Sequence, residues 1–259
     1  MDGGAWMAGT RTVNSQARPN QPRTRWHESL CGIDLLLLHA SPVFYGFGVP
    51  HGDGSPVVII PGFMHSDVYL VVMYAWLMRL GYRPYYSGID LNAECPNLLI
   101  KYHLNELVDQ ARQQTGRKVH LIGHSLGGII ARSLAAQRPD AIASVITLAS
   151  PFSAVLLQRS ILRQAEAVRL FIHSEHGDTV PPECYTERCT CDFMSSLRMG
   201  VPRHMPHTAI FTKTDGVVDW RSCLTGNRKI DVEVGGTHAG LAFNANVYSA
   251  IASRLARRN

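Results

Sequence analysis

Short runs of β-branched and other apolar residues alternate along this chain with longer stretches in which apolar residues recur at helical spacing. Turn residues bound six of these runs, which therefore predict six strands. The predicted strands are 57–60, 83–86, 118–122, 144–148, 208–212 and 230–234. Because strands that alternate with helices are typical of βαβ units, the pattern predicts an α/β fold with a mostly parallel central sheet flanked by helices.

Three of the intervening stretches predict helices. Residues 100–111 carry apolar side chains at i, i+4, i+7, i+8 and i+11, and Gly116 is expected to end this helix. A second helix is predicted over 67–80 with Ser66 as its N-cap, and a third over 241–255.

The domain organisation follows from where this alternation is absent. Residues 1–25 are polar and rich in Gly, Arg, Asn and Pro, which predicts a flexible N-terminal tail. Residues 26–259 are expected to form a single domain, with a lid-like insertion over about 151–205. The helical spacing within 155–172 fits either a lid beside an active site or a helix that packs on the core.

Composition excludes several classes of protein. Of 259 residues, 46% are apolar and 17% are charged, which excludes disorder for most of the chain. The 25 Lys and Arg residues against 20 Asp and Glu give a net charge of +5, but they are spread along the chain, so no nucleic-acid partner is expected.

No apolar run reaches the roughly 18–20 residues of a transmembrane helix. Without a visible signal peptide a cytoplasmic location is expected, or secretion if a signal has been cleaved, and the oligomeric state is left open.

Three of the six cysteines, Cys184, Cys189 and Cys191, lie in one polar stretch of the insertion. Their C-x4-C-x-C spacing matches no common zinc motif. A local disulfide or free thiols are therefore favoured over a metal site.

The stretch richest in chemical information is GHSLGG at residues 123–128, directly after the third predicted strand. It is a G-x-S-x-G pattern at a strand-to-helix turn. Such a turn strains the backbone of the central Ser125, and Gly123 and Gly127 allow the strand and the helix to approach without a side-chain clash. The context predicts Ser125 as a nucleophile at the carboxyl edge of the sheet.

A serine nucleophile needs a histidine base that is itself oriented by a carboxylate. His238 lies on a glycine-rich loop after the sixth predicted strand, where catalytic groups of open α/β sheets gather. For the acid, Asp215 after the fifth strand is favoured over Asp178, with Asp219 between them.

Acyl transfer also needs backbone N–H donors for the oxyanion. One is expected from Leu126, directly after the nucleophile, and the other from Phe63 in the loop after the first strand. Gly62 permits the tight turn that aims the Phe63 amide into the site.

Through these segments the chain resembles the α/β-hydrolase superfamily, specifically bacterial serine esterases and lipases. The resemblance covers about 56–255 and rests on residues 61–63 (PGF), 123–128 (GHSLGG), 214–218 (TDGVV) and 236–238 (GTH). It implies an α/β-hydrolase fold, the Phe63 amide in the oxyanion hole and Asp215 as the acid, in the family's chain order of Ser, Asp and His. Pro61 departs from the histidine that many lipases have before this glycine.

The expected function is a serine carboxylic ester hydrolase that forms an acyl-enzyme on Ser125 and needs no metal or organic cofactor. An apolar lining from Phe63, Leu126 and residues 155–170 suits a small ester with an acyl chain. Met64 and His124 are the predicted substrate-binding residues, and contact with a lipid interface is left open.

Two other functions are compatible with the same residues. One is an acyltransferase of this fold that uses an alcohol acceptor. The other is a non-catalytic binding protein of the α/β-hydrolase fold, because a fold does not fix a function.

Overall fold

The computed structural model describes residues 31–152, 159–186 and 188–256. Its strands are β1 (Pro56–Ile60), β2 (Arg83–Tyr86), β3 (Val119–His124), β4 (Ile142–Leu148), β5 (His207–Phe211) and β6 (Asp231–Glu233). They form one sheet in the order β2-β1-β3-β4-β5-β6, and every neighbouring pair is parallel. The predicted α/β sheet is confirmed, with every strand end within two residues of its predicted position. The predicted tail over 1–25 lies outside the described residues.

Helices connect these strands and cover both faces of the sheet. They are α1 (Cys31–Ala40), α2 (Val71–Arg79), α3 (Pro96–Leu99), α4 (Asn105–Thr115), α5 (Leu126–Gln137), α6 (Arg159–His176), α7 (Asp192–Met199) and α8 (Ala245–Leu255). None of the helices in the described ranges is long and apolar enough to cross a bilayer.

The core has two layers because successive side chains of a strand point to opposite faces. On β1, Val57 and Ile59 pack in the layer that contains α1, α2 and α8. Val58 and Ile60 pack in the other layer, against α4, α5 and α7. All five residues of β1 are buried, as expected for a central strand of a parallel sheet.

The second predicted helix begins differently from the expectation. A 3-10 turn, Asp67–Leu70, leads into α2, and Ser66 occupies the predicted N-cap position of this turn, but its side chain makes no capping hydrogen bond. The Asp67 carboxylate instead accepts hydrogen bonds from the backbone N–H and the hydroxyl of Ser87, just after β2. The acidic side chain therefore fastens the start of the helix to the edge of the sheet.

The other two predicted helices are interrupted. A π-helical turn, Ile100–Leu104, precedes α4, which ends as predicted at Gly116 with a φ of +67°. The last helix is split into a 3-10 turn, Ala239–Phe243, and α8. Asn244 separates the two parts, because its side chain accepts hydrogen bonds from the N–H groups of Asn246 and Val247 and so caps α8.

Within the predicted insertion, the structure describes α6, a 3-10 turn and α7, while 153–158 and residue 187 lie outside the described residues. Val168 and Ile172 of α6 are buried in a small apolar cluster with Val180. The described part of α6 thus packs on the rest of the protein through one apolar stripe.

Among the described residues, Trp76 is the largest fully buried side chain, and its removal tests the layer formed by α2 and α8. Its ring centroid lies 4.5 Å from that of Tyr248, and its Nε1–H donates to the Val43 carbonyl at 2.9 Å. We expect Trp76→Ala to lower the free energy of unfolding in urea by about 3–5 kcal/mol. Val68→Ala is the control, because Val68 is 76% exposed on the preceding turn. Equal losses in the two variants would contradict this account of the core.

Candidate active site

Ser125 occupies the turn between β3 and α5. Its φ of 53° and ψ of −120° lie outside the regions that a non-glycine residue ordinarily adopts. The strand ends at His124 and the helix begins at Leu126, so a single residue makes the whole change of direction. This is the strained strand-to-helix turn that the G-x-S-x-G pattern predicts.

The glycines around this serine are required by steric contact. A Cβ on Gly123 would lie 2.3 Å from the Gly127 carbonyl oxygen, and a Cβ on Gly127 would lie 2.2 Å from that of Ile60. Both distances are too short for any side chain, because the atoms in the way are backbone. Strand β3, helix α5 and the end of β1 are therefore in direct backbone contact below Ser125.

Asp215 and His238 meet at the same edge of the sheet, after β5 and β6. His238 Nδ1 lies 2.8 Å from Asp215 Oδ2, and the two side chains are 8% and 1% exposed. The other carboxylate oxygen of Asp215 accepts hydrogen bonds from the N–H groups of Val217 and Val218, each at 2.8 Å. The carboxylate is thus fixed by its own loop and presents one oxygen to the imidazole.

Two threonines join the loop that carries Asp215 to the loop that carries His238. The hydroxyls of Thr212 and Thr214 donate to the Gly236 carbonyl at 3.0 and 2.6 Å. Since Gly236 lies two residues before His238, these bonds set the spacing between the two loops.

His124 joins the histidine loop to the serine turn. Its Nε2–H donates to the His238 backbone carbonyl at 2.9 Å, and the two ring centroids are 5.0 Å apart. Because His124 directly precedes Ser125, this contact places the loop of His238 beside the predicted nucleophile.

The loop after β1 lies on the other side of the serine. A Cβ on Gly62 would be 3.1 Å from the Ser125 Cβ, and Met64 has a φ of 60°. Asn92 holds this loop with three hydrogen bonds: its side-chain amide donates to the Pro61 carbonyl, its N–H donates to the His65 carbonyl, and its own carbonyl accepts the Met64 N–H. These hydrogen bonds fix the conformation of the loop that carries Phe63, the predicted oxyanion donor.

Comparison with known proteins agrees with this architecture. A family model described as alpha/beta hydrolase fold matches residues 86–185. A lipase from Bacillus licheniformis in its mature form is 17% identical, covers 79% of this chain and 92% of its own, and superposes with a TM-score of 0.50. A pyrethroid hydrolase is 18% identical, covers 77% of this chain and 96% of its own, and gives a TM-score of 0.50.

The chain has the α/β-hydrolase fold. At the level of sequence, a triacylglycerol lipase from Burkholderia plantarii is 30% identical in an alignment 135 residues long that covers 47% of this chain. The match spans 36% of that lipase, so the chain corresponds to about a third of this curated relative.

Within the α/β-hydrolase fold, the other two acids considered for the site lie in other turns. Asp219 caps a 3-10 turn, Trp220–Cys223, and its carboxylate accepts hydrogen bonds from Arg221. Asp178 lies in a 3-10 turn, Gly177–Thr179, after α6. Asp215 is the one of the three that contacts His238.

The two residues predicted to bind substrate lie in different environments. Met64 is 43% exposed on the loop after β1, beside the serine turn. His124 is buried beneath the turn and bonded to the His238 backbone, so a direct contact with substrate does not fit its position. His124 therefore supports the loop that carries His238.

Sequence reasoning missed Asn92 and Tyr69. The hydroxyl of Tyr69 donates to the Ala239 carbonyl at 2.5 Å, and its ring centroid lies 5.3 Å from that of His124. Neither residue belongs to a motif or follows a strand in a glycine-rich turn, so nothing in the local sequence distinguishes them. They act through contacts between segments that are distant along the chain.

The histidine below the turn is held neutral. Burial and the neighbouring His238 lower the pKa of His124 to about 3, from an ordinary value of about 6.5. The folded state therefore does not bind the proton that the unfolded chain binds below about pH 6.5. Stability from this group is full above that pH and is lost progressively as the pH falls toward 3.

We expect His124→Gln to remove this pH dependence, because glutamine cannot titrate yet retains an N–H donor for the His238 carbonyl. Between pH 7 and pH 5 the wild type should lose on the order of 2 kcal/mol more free energy of unfolding than the variant. Urea unfolding at the two pH values measures the difference. Equal losses would show that His124 is not a neutral buried group.

Proposed function

We propose that this chain is a serine carboxylic ester hydrolase that forms an acyl-enzyme on Ser125. The observation that carries the proposal is the buried contact of 2.8 Å between His238 Nδ1 and Asp215 Oδ2, next to a serine in a strained turn. A base oriented by a buried carboxylate is what a serine hydroxyl needs to become nucleophilic at neutral pH.

In the first half of the reaction, His238 Nε2 accepts the Ser125 hydroxyl proton while Oγ attacks the ester carbonyl carbon. Asp215 holds the proton on Nδ1, which leaves Nε2 as the acceptor, and it stabilises the imidazolium that forms. The imidazolium then gives its proton to the departing alcohol as the bond between the acyl carbon and the leaving oxygen breaks.

The charge that develops on the carbonyl oxygen needs fixed donors. The N–H groups of Leu126 and Phe63 are the proposed pair: one begins α5, and the other lies in the loop that Asn92 holds. The amino end of α5 adds the positive end of its dipole near the same point.

The second half repeats the same steps with water. His238 takes a proton from a water molecule that attacks the acyl carbon. As the bond between the acyl carbon and Ser125 Oγ breaks, the imidazolium returns this proton to Oγ, which releases the acid and regenerates Ser125. The named residues supply every proton transfer in this cycle.

We further propose a substrate with an apolar acyl group. Phe63 packs near Tyr185, with 6.3 Å between ring centroids, and Met64 exposes apolar surface beside the turn. The triacylglycerol lipase among the relatives supports an ester substrate, and the exposed Val68 and Val71 support contact with a lipid interface.

Substitution of the proposed triad tests the mechanism. Ser125→Ala should lower kcat on a soluble p-nitrophenyl ester by about 10⁵–10⁶-fold and abolish labelling by a fluorophosphonate, and Asp215→Asn should lower kcat by about 10⁴-fold. Asp219→Asn is the matched control and should leave kcat nearly unchanged, because Asp219 bonds to Arg221 instead.

Unchanged melting temperatures would show that the variants are folded. A wild type that is folded but is not labelled by the probe would overturn the hydrolase proposal and favour a binding protein of the same fold.

Acyl chain length tests the proposed substrate class. Because each buried methylene contributes about 0.8 kcal/mol, kcat/KM should rise by up to roughly fourfold per added methylene while the chain fits the site. A flat or falling series from acetyl to octanoyl esters would contradict an apolar acyl pocket.

The same series separates the related activities. A jump in rate above the solubility limit of the ester would indicate a lipase, and its absence would indicate an esterase. Transfer of the acyl group to an added soluble alcohol in preference to water would instead indicate an acyltransferase.

A further inference from the structure

Cys95 and Cys184 come together although they are 89 positions apart in the chain. Their sulfur atoms lie 3.2 Å apart, and the two residues are 2% and 1% exposed. Cys95 precedes α3 on the loop after β2, and Cys184 lies in the insertion after α6. The structure holds both as thiols.

The pair is enclosed by apolar side chains. Val168 and Ile172 of α6 pack around it together with Val180. Because this packing fixes both segments, the two sulfur atoms are already placed for a bond before any bond forms.

We infer that Cys95 and Cys184 are the site of a disulfide that fastens the insertion to the loop after β2. A disulfide bond of about 2.05 Å requires the sulfurs to approach by roughly 1 Å more, which small side-chain rotations can provide. This modification is independent of the proposed ester hydrolysis, since neither cysteine belongs to the proposed triad or oxyanion hole.

Two alternatives fit the geometry less well: a disulfide of Cys184 with Cys189 or Cys191, and a metal site. Cys189 and Cys191 are near enough to influence Cys184 electrostatically, but Cys191 is hydrogen-bonded to Cys189 rather than to the pair. Among the residues that the structure describes, no three His, Cys, Asp or Glu side chains are grouped to hold a metal ion. Cys184 is hydrogen-bonded to Cys95, so a disulfide between these two is favoured over a metal site.

The chemistry of the pair supports thiol–disulfide exchange. The Cys184 thiol donates a hydrogen bond to the Cys95 sulfur, which lowers the pKa of Cys95 to about 7 despite its burial and raises that of Cys184. Within the closed pair, Cys95 is thus the sulfur that carries the negative charge.

The oxidant that we propose is a small-molecule or protein disulfide that acts before the insertion has closed over the pair. The Cys95 thiolate attacks one sulfur of this oxidant, and the other sulfur leaves as a thiolate. The sulfur of Cys184 gives up its proton and attacks Cys95, which displaces the second thiolate of the oxidant. Two protein thiols are oxidised, one external disulfide is reduced to two thiols, and the proton count balances.

The proposed bond would add a covalent link to contacts that already dock α6 on this loop. His176 Nε2, at the end of α6, lies 2.9 Å from Glu94 Oε2, next to Cys95. The same loop carries Asn92, which holds the loop of Phe63. The disulfide would thus anchor the insertion next to the proposed oxyanion donors.

Peptide mass spectrometry on the full chain tests the pairing. The protein is incubated with oxidised glutathione during refolding, remaining thiols are blocked with N-ethylmaleimide, and it is digested without reductant. The expected result is a cross-linked peptide that joins Cys95 to Cys184. Recovery of both cysteines as blocked thiols, a cross-link of Cys184 to Cys189 or Cys191, or one equivalent of zinc bound by these thiols would overturn the inference.

Thermal unfolding supplies a second measurement. Oxidised wild type should melt roughly 5–15 °C above the same protein treated with reductant. Cys95→Ala should melt at one temperature in both conditions. Cys223→Ala is the matched control and should keep the shift, because Cys223 is equally buried but packs with Phe211 and Val218 instead. A shift that persists in Cys95→Ala would also overturn the inference.

Discussion

The close approach of β3, α5 and the end of β1 is the constraint on which the site depends. Backbone atoms meet there without room for a single Cβ at Gly123 or Gly127, so the chain must turn sharply at Ser125. The turn strains this residue and exposes its hydroxyl at the carboxyl edge of the sheet. The apolar layers on both faces stabilise the contact, because they hold the strands and helices at this spacing.

Most of the fold and part of the site could be predicted because they depend on local pattern. The six strands are short apolar runs between turn residues, and parallel pairing brings all their carboxyl ends to one edge. This rule predicts Asp215 and His238 at that edge, and the G-x-S-x-G pattern predicts Ser125 there. The choice of Asp215 over Asp219 rested on distance from the strand end, and the contact of 2.8 Å with His238 is consistent with it.

The remainder depends on contacts between distant segments, which no local pattern encodes. His124 was predicted to bind substrate, yet its side chain points inward and donates to the His238 carbonyl. Asn92 lies in an irregular loop, and its role is visible only once β1 and β2 are paired. Similarly, Ser66 occupies the predicted N-cap position without a side-chain capping bond, and a tertiary contact of Asp67 with Ser87 fixes this turn.

The loop after β2 connects the insertion to the loop that carries Phe63. Asn92 holds the loop of Phe63, while Glu94 and Cys95 contact the insertion. A displacement of α6 would therefore reach the loop that carries Phe63 through three residues of one short segment. If the sulfurs are bonded, substrate must enter without separating α6 from this loop, so the insertion would act as a fixed wall on this side. Because structural disulfides persist in oxidising compartments, a disulfide at this pair would suit a protein that works outside the cytoplasm.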